Sequence, residues 1–252
     1  MFSLCIPTMN RFDAHLKNYI VEYLKYPLID EIIITDENGN DVKKIKEMFP
    51  GNDKLKLYVN ESRLGPFLNK INACKKAKNE WIALIDSDNF ANEEYFKKVK
   101  EFITKHNLKK NDIISPDYGT EVFNWGHLSS INDDHGVLNR QTYKNMDEID
   151  KKNPKKGKIS HILNTGNYIL NKYLIDNIDL KTDMELIKIS HCFDVVLMNL
   201  LFFEQFNLNF YIVKDLKYKH SISDDSIYIR TIAQLRPWKD ITYKRIWEYL
   251  LN

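Results

Sequence analysis

Four apolar runs stand early in the chain: FSLCIP (2–7), DEIIITD (30–36), KLKLYVN (54–60) and EWIALID (80–86). Segments with turn residues and helical spacing follow them. FDAHLKNYIVEYLKY (12–26) is ended by Pro27, and DVKKIKEMF (41–49) begins on Asp41. A third segment opens at Gly65 and Pro66 and runs to about Lys78. NEEYFKKVKEFITKH (92–106) has Asn92 as its cap and acids in its first turn. Continuous apolar strands are buried on both faces, and their alternation with helices predicts a parallel α/β sheet. Ligands of such sheets bind at the carboxyl edge of the strands. The loops TMNR and DENGND and the acids Asp86 and Asp88 all fall on that edge.

The stretch IALIDSDN (82–89) drives a buried strand straight into two aspartates. Asp, Ser and Asn are good turn formers, so the acids can simply end the strand. Alternatively the strand holds two carboxylates where a hard divalent cation and a diphosphate would meet. A dinucleotide fold would need a glycine-rich turn after the first strand, and IPTMNR contains no glycine. A P-loop is also absent. A diphosphate must therefore be neutralised otherwise, and Asp-x-Asp with a metal supplies a way.

With 252 residues, 43% hydrophobic and 29% charged, the chain can bury a substantial core. Its net charge of +2 demands neither nucleic acid nor an anionic membrane as partner. Cys5, Cys74 and Cys192 show no zinc-type spacing and read as reduced thiols. No signal peptide and no membrane span are expected, so the reading is a soluble cytoplasmic protein.

The second half is less regular. DIISPDYG (112–119) is a further strand, and the chain is expected to be loop-like from there to about residue 160. KKNPKKGK (151–158) reads as a solvated insertion. NTGNYILNKYLI (164–175) reads as a strand entering a helix, and HCFDVVLMNLLFFEQF (191–206) as an apolar helix with Asp194 near its start. FYIVKDLKYKHS (210–221) gives one or two strands ending at His220. SDDS (223–226) reads as a mobile lid, and TYKRIWEYLLN (242–252) as a closing helix.

In order, IPTMNR, DEIIITDENGND, Gly65…Lys70…Ala77, IALIDSDN, NTGNYIL and HCFDVVLMNLLF resemble the family 2 glycosyltransferases. The resemblance implies a GT-A fold, with a mostly parallel Rossmann-like sheet flanked by helices and a mixed C-terminal acceptor-side portion. One domain, 1–252, is expected, with a nucleotide-sugar half to about residue 110 and an acceptor half from about 111. The implied reaction is metal-dependent transfer of a sugar from a nucleotide diphosphate, most simply a UDP-sugar, to a hydroxyl on a glycan, protein or lipid-linked acceptor. Pro7, Thr8, Asn10 and Arg11 would flank the nucleoside. Asp36 would accept from the base, its other role being a turn cap, and Lys70 would contact base or phosphate. Asp86 would lie near the ribose or a metal-bound water, with Ser87 beside it. Asp88 would bind Mn²⁺ or Mg²⁺, with His220 as a further ligand that suits Mn²⁺ better. Asp194, at a helix amino end, would be the general base of an inverting displacement. The family usually has Glu-Asp there, whereas this chain has Phe193-Asp194.

QLRPW (234–238) resembles the Gln-x-x-Arg-Trp signature of processive synthases at the wrong spacing, and reads as a loop packing aromatic surface near the site. Trp125, His127, Asp133 and Asp134 are the expected acceptor-side residues. A nucleotidyltransferase and a non-catalytic sugar-binding module are the rival readings. The first usually needs the basic, glycine-rich loop that IPTMNR lacks.

Overall fold

The computed structural model describes residues 1–120, 123–153, 158–221 and 227–252. The apolar runs form β1 (Phe2–Thr8), β2 (Ile29–Asp36), β3 (Leu55–Val59) and β4 (Trp81–Leu84). They pair in parallel in the order β3-β2-β1-β4. Between them, a π-helical turn at Phe12–Leu16 leads into α1 (Lys17–Tyr23), followed by α2 (Asn40–Met48) and α3 (Gly65–Lys75). Gly65 has φ +78°, which glycine adopts without strain, and Pro66 takes the first turn of α3. α4 (Glu93–His106) is capped by Asn92, whose side-chain oxygen accepts from the Tyr95 N–H at 3.1 Å.

The rest of the chain adds β5 (Asp112–Gly119), β6 (Phe123–Asn124), α5 (Gly126–Ser129), β7 (His135–Leu138), α6 (Tyr143–Lys151) and α7 (Ile159–Ile162). It continues with β8 (Tyr168–Asn171), α8 (Lys172–Asn177), α9 (Met184–Ile189), α10 (Asp194–Phe206), β9 (Asn209–Tyr218) and α11 (Ile227–Leu251). These strands extend the sheet as β4-β8-β5-β9-β7, with β6 on β5. β8 is antiparallel to both neighbours, β9 is parallel to β5, and β7 is antiparallel to β9. Among the described residues, β1 to β5 and β9 therefore run one way, and β6, β7 and β8 run the other. The carboxyl ends of β1, β2, β4 and β9 and the entry to β8 meet on one edge.

Helices cover both faces. On one, Leu16, Ile20, Tyr23, Phe96 and Val99 pack on Leu4, Ile6, Ile32 and Ile34. On the other, Ile71 and Cys74 of α3 and the apolar body of α10 pack on Cys5, Ile33 and Leu84. Every residue from Asp194 to Phe203 is buried, as an interior helix requires. Each buried Leu, Val or Phe there contributes about 1.5–3 kcal/mol. Asn199 is accommodated because its amide donates to the Leu163 carbonyl at 2.9 Å.

Two expectations are corrected. The stretch from 120 to 160 is not loop-like: its described residues enter two short strands and three short helices, with β7 pairing along β9. They are held by strand pairing and by burying Leu128, Leu138, Tyr143, Met146, Ile159 and Ile162 in the core, which local sequence does not announce. QLRPW is not a loop but lies inside α11, with Pro237 in the helix interior. Ile246 and Leu250 of α11 enter the core beside α10. Residues 154–157 of the lysine-rich run and all of SDDS lie outside the described residues.

Candidate active site

The convergent edge lines a cavity of ≈ 750 Å³. Pro7, Thr8, Asn10, Arg11, Lys70, Asp86, Ser87, Asp88, Asp194 and His220 all face it. Asp36 does not. It is fully buried, and its carboxylate accepts from the Asp41 and Val42 amides at 2.8 and 3.0 Å and from the Asn38 amide at 3.2 Å. It caps α2, so its expected role at the base is corrected.

The next residue faces the cavity instead. Glu37 Oε2 accepts from the Leu64 N–H at 2.8 Å, while Oε1 is buried without a hydrogen-bond partner among the described residues. Burial pushes the Glu37 carboxyl up, and the amides of Leu64 and Gly65 offset this only partly. An orphaned, buried carboxylate oxygen in a cavity is a ready acceptor for a ligand N–H.

Asp41 organises the first loop. It accepts from the Thr8 hydroxyl at 2.6 Å and from the backbone amides of Arg11 and Phe12 at 2.9–3.0 Å. Asn10, at φ +58°, accepts through its side-chain oxygen from Asn38 and Asn40. Thr8 and Asn10 thus hold the loop's shape with their own side chains.

Lys70 is the centre of the site. Its ammonium lies 2.7 Å from Asp194 Oδ2 and 2.8 Å from Asp86 Oδ1. Burial opposes that charge, but Asp194 and Asp86 together hold the lysine above its usual range. Lys70, Asp86 and Asp194 form an ion triad on the cavity wall. The NTGN segment supports it from behind: the Asn167 side chain accepts from the Asp86 N–H at 2.9 Å. A Cβ on Gly166 would meet Val195 at 2.8 Å and Lys70 at 3.2 Å, so glycine permits the close packing. Asp194 is the first residue of α10, and Phe193 before it is fully buried in the core. Phe193, where the resemblance would place an acid, is thus a core residue.

Asp88 is pushed up to about 6, first by burial and then by repulsion from Asp86, with Arg11 pulling the other way. His220 is lowered by burial, which favours the neutral, metal-ligating imidazole. The end of β9 is stitched to the Asp-x-Asp loop. Phe90 and Lys219 exchange backbone hydrogen bonds at 3.0 and 2.7 Å, and the Ser221 amide donates to Asn89 at 2.9 Å. His220 Nδ1 is engaged with the Tyr218 hydroxyl at 3.0 Å, leaving Nε2 as the metal-capable nitrogen. A buried carboxylate and a neutral imidazole lining one cavity are donor types that a divalent cation accepts. Among the described residues, the ligand atoms of Asp86, Asp88 and His220 do not all approach within 4.8 Å of one another.

Residues 3–178 match the family model described as Glycosyl transferase family 2. The chain belongs to glycosyl transferase family 2. It is a glycosyltransferase with the fold of that family. No curated protein matches it. Among solved structures, it is similar to Staphylococcus aureus TarS 1–349 in complex with UDP, at 17% identity and TM-score 0.60, over 99% of this chain and 70% of that one. The complex of TarS 1–349 with UDP-GlcNAc gives 14% identity and TM-score 0.61, over 99% and 71%. A longer TarS chain gives 18% identity and TM-score 0.60, and this chain spans 42% of its length. At such identities the likeness is one of fold.

The glycosyltransferase places its acceptor-side candidates elsewhere than expected. Trp125 is fully buried, His127 pairs with Asp150 at 3.0 Å, Asp133 is exposed, and none of these or Asp134 lines the cavity. Phe123, His161 and His191 line it instead. Trp238 of QLRPW also lies off the cavity, whereas Ile229, Arg230 and Lys239 of α11 reach it. Glu37 was the legible omission, since it adjoins a recognised strand end. His161 and His191 lack a local signal, because only the tertiary path brings them in. No helix of the described residues is long and apolar enough to cross a membrane.

Proposed function

We propose that the protein transfers a sugar from a UDP-sugar to a hydroxyl acceptor, with inversion at the anomeric carbon and Asp194 as general base. The observation that carries this is the Lys70 bridge, which brings the α10 carboxylate and the Asp-x-Asp strand end together in one cavity. The donor assignment is supported by similarity of fold to TarS, whose structures hold UDP and UDP-GlcNAc. Within the 1–252 chain, residues to about 110 would serve the nucleotide and the remainder the acceptor.

Each residue has a task. Glu37 accepts from the N–H of the base, and Pro7 and Arg11 flank the nucleoside. Asp88 and His220 are the residues that would hold Mn²⁺ or Mg²⁺, which when bound offsets charge growing on the departing diphosphate. Lys70 fixes the Asp194 carboxylate beside the sugar. Asp194 takes the proton of the acceptor hydroxyl as that oxygen forms its bond to the anomeric carbon. The bond from that carbon to the diphosphate oxygen breaks, and UDP leaves. One displacement inverts the centre.

The test is UDP release and product configuration across a panel of UDP-sugars and acceptors, with and without Mn²⁺. Asp194→Asn is expected to lower kcat about 10²–10⁴-fold while leaving the UDP Kd within about twofold. A product of retained configuration, or full turnover by Asp194→Asn, would refute the assignment.

A further inference from the structure

The cavity does not account for a second cluster at the far end of α4. His106 is the last residue of that helix, and Asp134 and His135 stand where the chain enters β7. Asp134 Oδ2 lies 3.1 Å from His106 Nε2, and Asp134 Oδ1 lies 2.7 Å from His135 Nδ1. One ligand atom from each of the three falls within 4.8 Å of the others. None of them lines the cavity. Because α4 has 14 residues, the cluster sits about 20 Å along the helix from the Asp-x-Asp loop.

The groups are held in place. The His106 ring lies against Phe102 with centroids 4.3 Å apart, and His135 meets Phe102 and Tyr211 at 5.4 Å each. The Lys214 amide donates to the Asp134 carbonyl at 3.0 Å, and the Asn132 amide donates to the His135 carbonyl at 3.0 Å. Burial works against the Asp134 charge, but hydrogen bonds from Lys105, His135 and His106 outweigh it and hold the carboxyl below its usual range. Lys105 is exposed and also pairs with Asp134. An ion pair with Lys105 would need neither histidine, yet two braced rings present nitrogens to the same carboxylate.

Two imidazoles and a carboxylate, partly exposed, match the donor set of a three-ligand site for cations of the zinc class, with room for water at the remaining position. We propose that His106, Asp134 and His135 form a second, non-catalytic site for a divalent cation of the zinc class. The cation takes over the Asp134 oxygen that Lys105 now shares. It ties the last turn of α4 to β7, the terminal strand of the sheet order.

The experiment uses the full chain after chelator treatment, with Zn²⁺ alone as probe. Equilibrium dialysis gives stoichiometry, and thermal melts give the shift. An Asp88→Asn/His220→Gln variant removes the ligands proposed for the catalytic cation. It is expected to keep one Zn²⁺ per chain and to gain roughly 5–10 °C in Tm at a hundredfold excess over Kd. Adding His106→Gln and His135→Gln should abolish both. Lys105→Met should tighten Zn²⁺ several-fold, since its ammonium competes for the carboxylate, and this variant decides the matter if the histidine variant fails to fold. Unchanged zinc stoichiometry in a folded His106→Gln/His135→Gln protein, or weaker zinc binding by Lys105→Met, would overturn the assignment.

Discussion

Replacing Lys70 by Met tests the centre of the site directly. Methionine keeps much of the buried stem volume while removing the ammonium, so the change is mainly electrostatic. Lys70 and Asp194 side chains are 9% and 12% exposed, and Asp86 is 28% exposed, so screening by water is weak. Without the ammonium, two carboxylates are left facing each other on the order of 5 Å apart. At an effective dielectric of about 20 their repulsion alone is about 3 kcal/mol. Removing one partner of a buried ion pair costs about 3–5 kcal/mol in general, which agrees. Urea unfolding at pH 7.5 should therefore show Lys70→Met less stable by about 3–5 kcal/mol, with an unchanged m-value. The double variant Lys70→Met/Asp194→Asn removes one of the facing charges and should recover about half of that loss. A cost below about 1 kcal/mol, or strict additivity of the two substitutions, would refute the triad as a coupled unit.

Glu37→Ala should weaken UDP binding about tenfold or more by calorimetry, as expected for loss of a hydrogen bond to a charged acceptor. Asp36→Ala should cost about 1–2 kcal/mol of stability through loss of the α2 cap and leave the UDP Kd within about twofold. Asp88 keeps its proton to about pH 6 in the folded, ligand-free protein, whereas an unfolded aspartate releases it near pH 4. The folded state binds more protons in that window, so stability should fall by about 1–3 kcal/mol as pH rises through it, and Asp88→Asn should flatten the fall in urea titrations. For the same reason, Mn²⁺ affinity measured by calorimetry should drop as pH falls below 6. Gly166→Ala should destabilise by about 1–3 kcal/mol in urea melts, because its methyl would press on Val195 and Lys70.

The parallel half of the sheet was legible because long apolar runs leave few options. β2 and β4 need burial on both faces, and Asn92 is a helix cap whose side chain bonds as its position suggests. Asp36 and Glu37 show the limit. Both sit at a strand end, and the sequence does not say which carboxylate turns toward the helix amides and which toward the cavity. Gly166 and Asn167 were visible as a motif, but their work, holding the Asp86 backbone and admitting the Lys70 stem, depends on β8 lying beside β4. The elements between 120 and 160 escaped notice because strands of two and four residues carry too little pattern. QLRPW reads as a loop in sequence, yet α11 passes through it with Pro237 in its interior.

The placement of β8 has a consequence for synthesis. Its four residues, 168–171, fill the gap between β4 and β5. A growing chain that has emerged only as far as α4 carries the β4 ladder with one side vacant, an open template for a neighbouring polypeptide on the same polysome. Closure waits until those four residues clear the exit tunnel, and the same event delivers Asn167 to the Asp86 backbone. Pairing of β8 thus covers the β4 edge and seats the Asp86 backbone together.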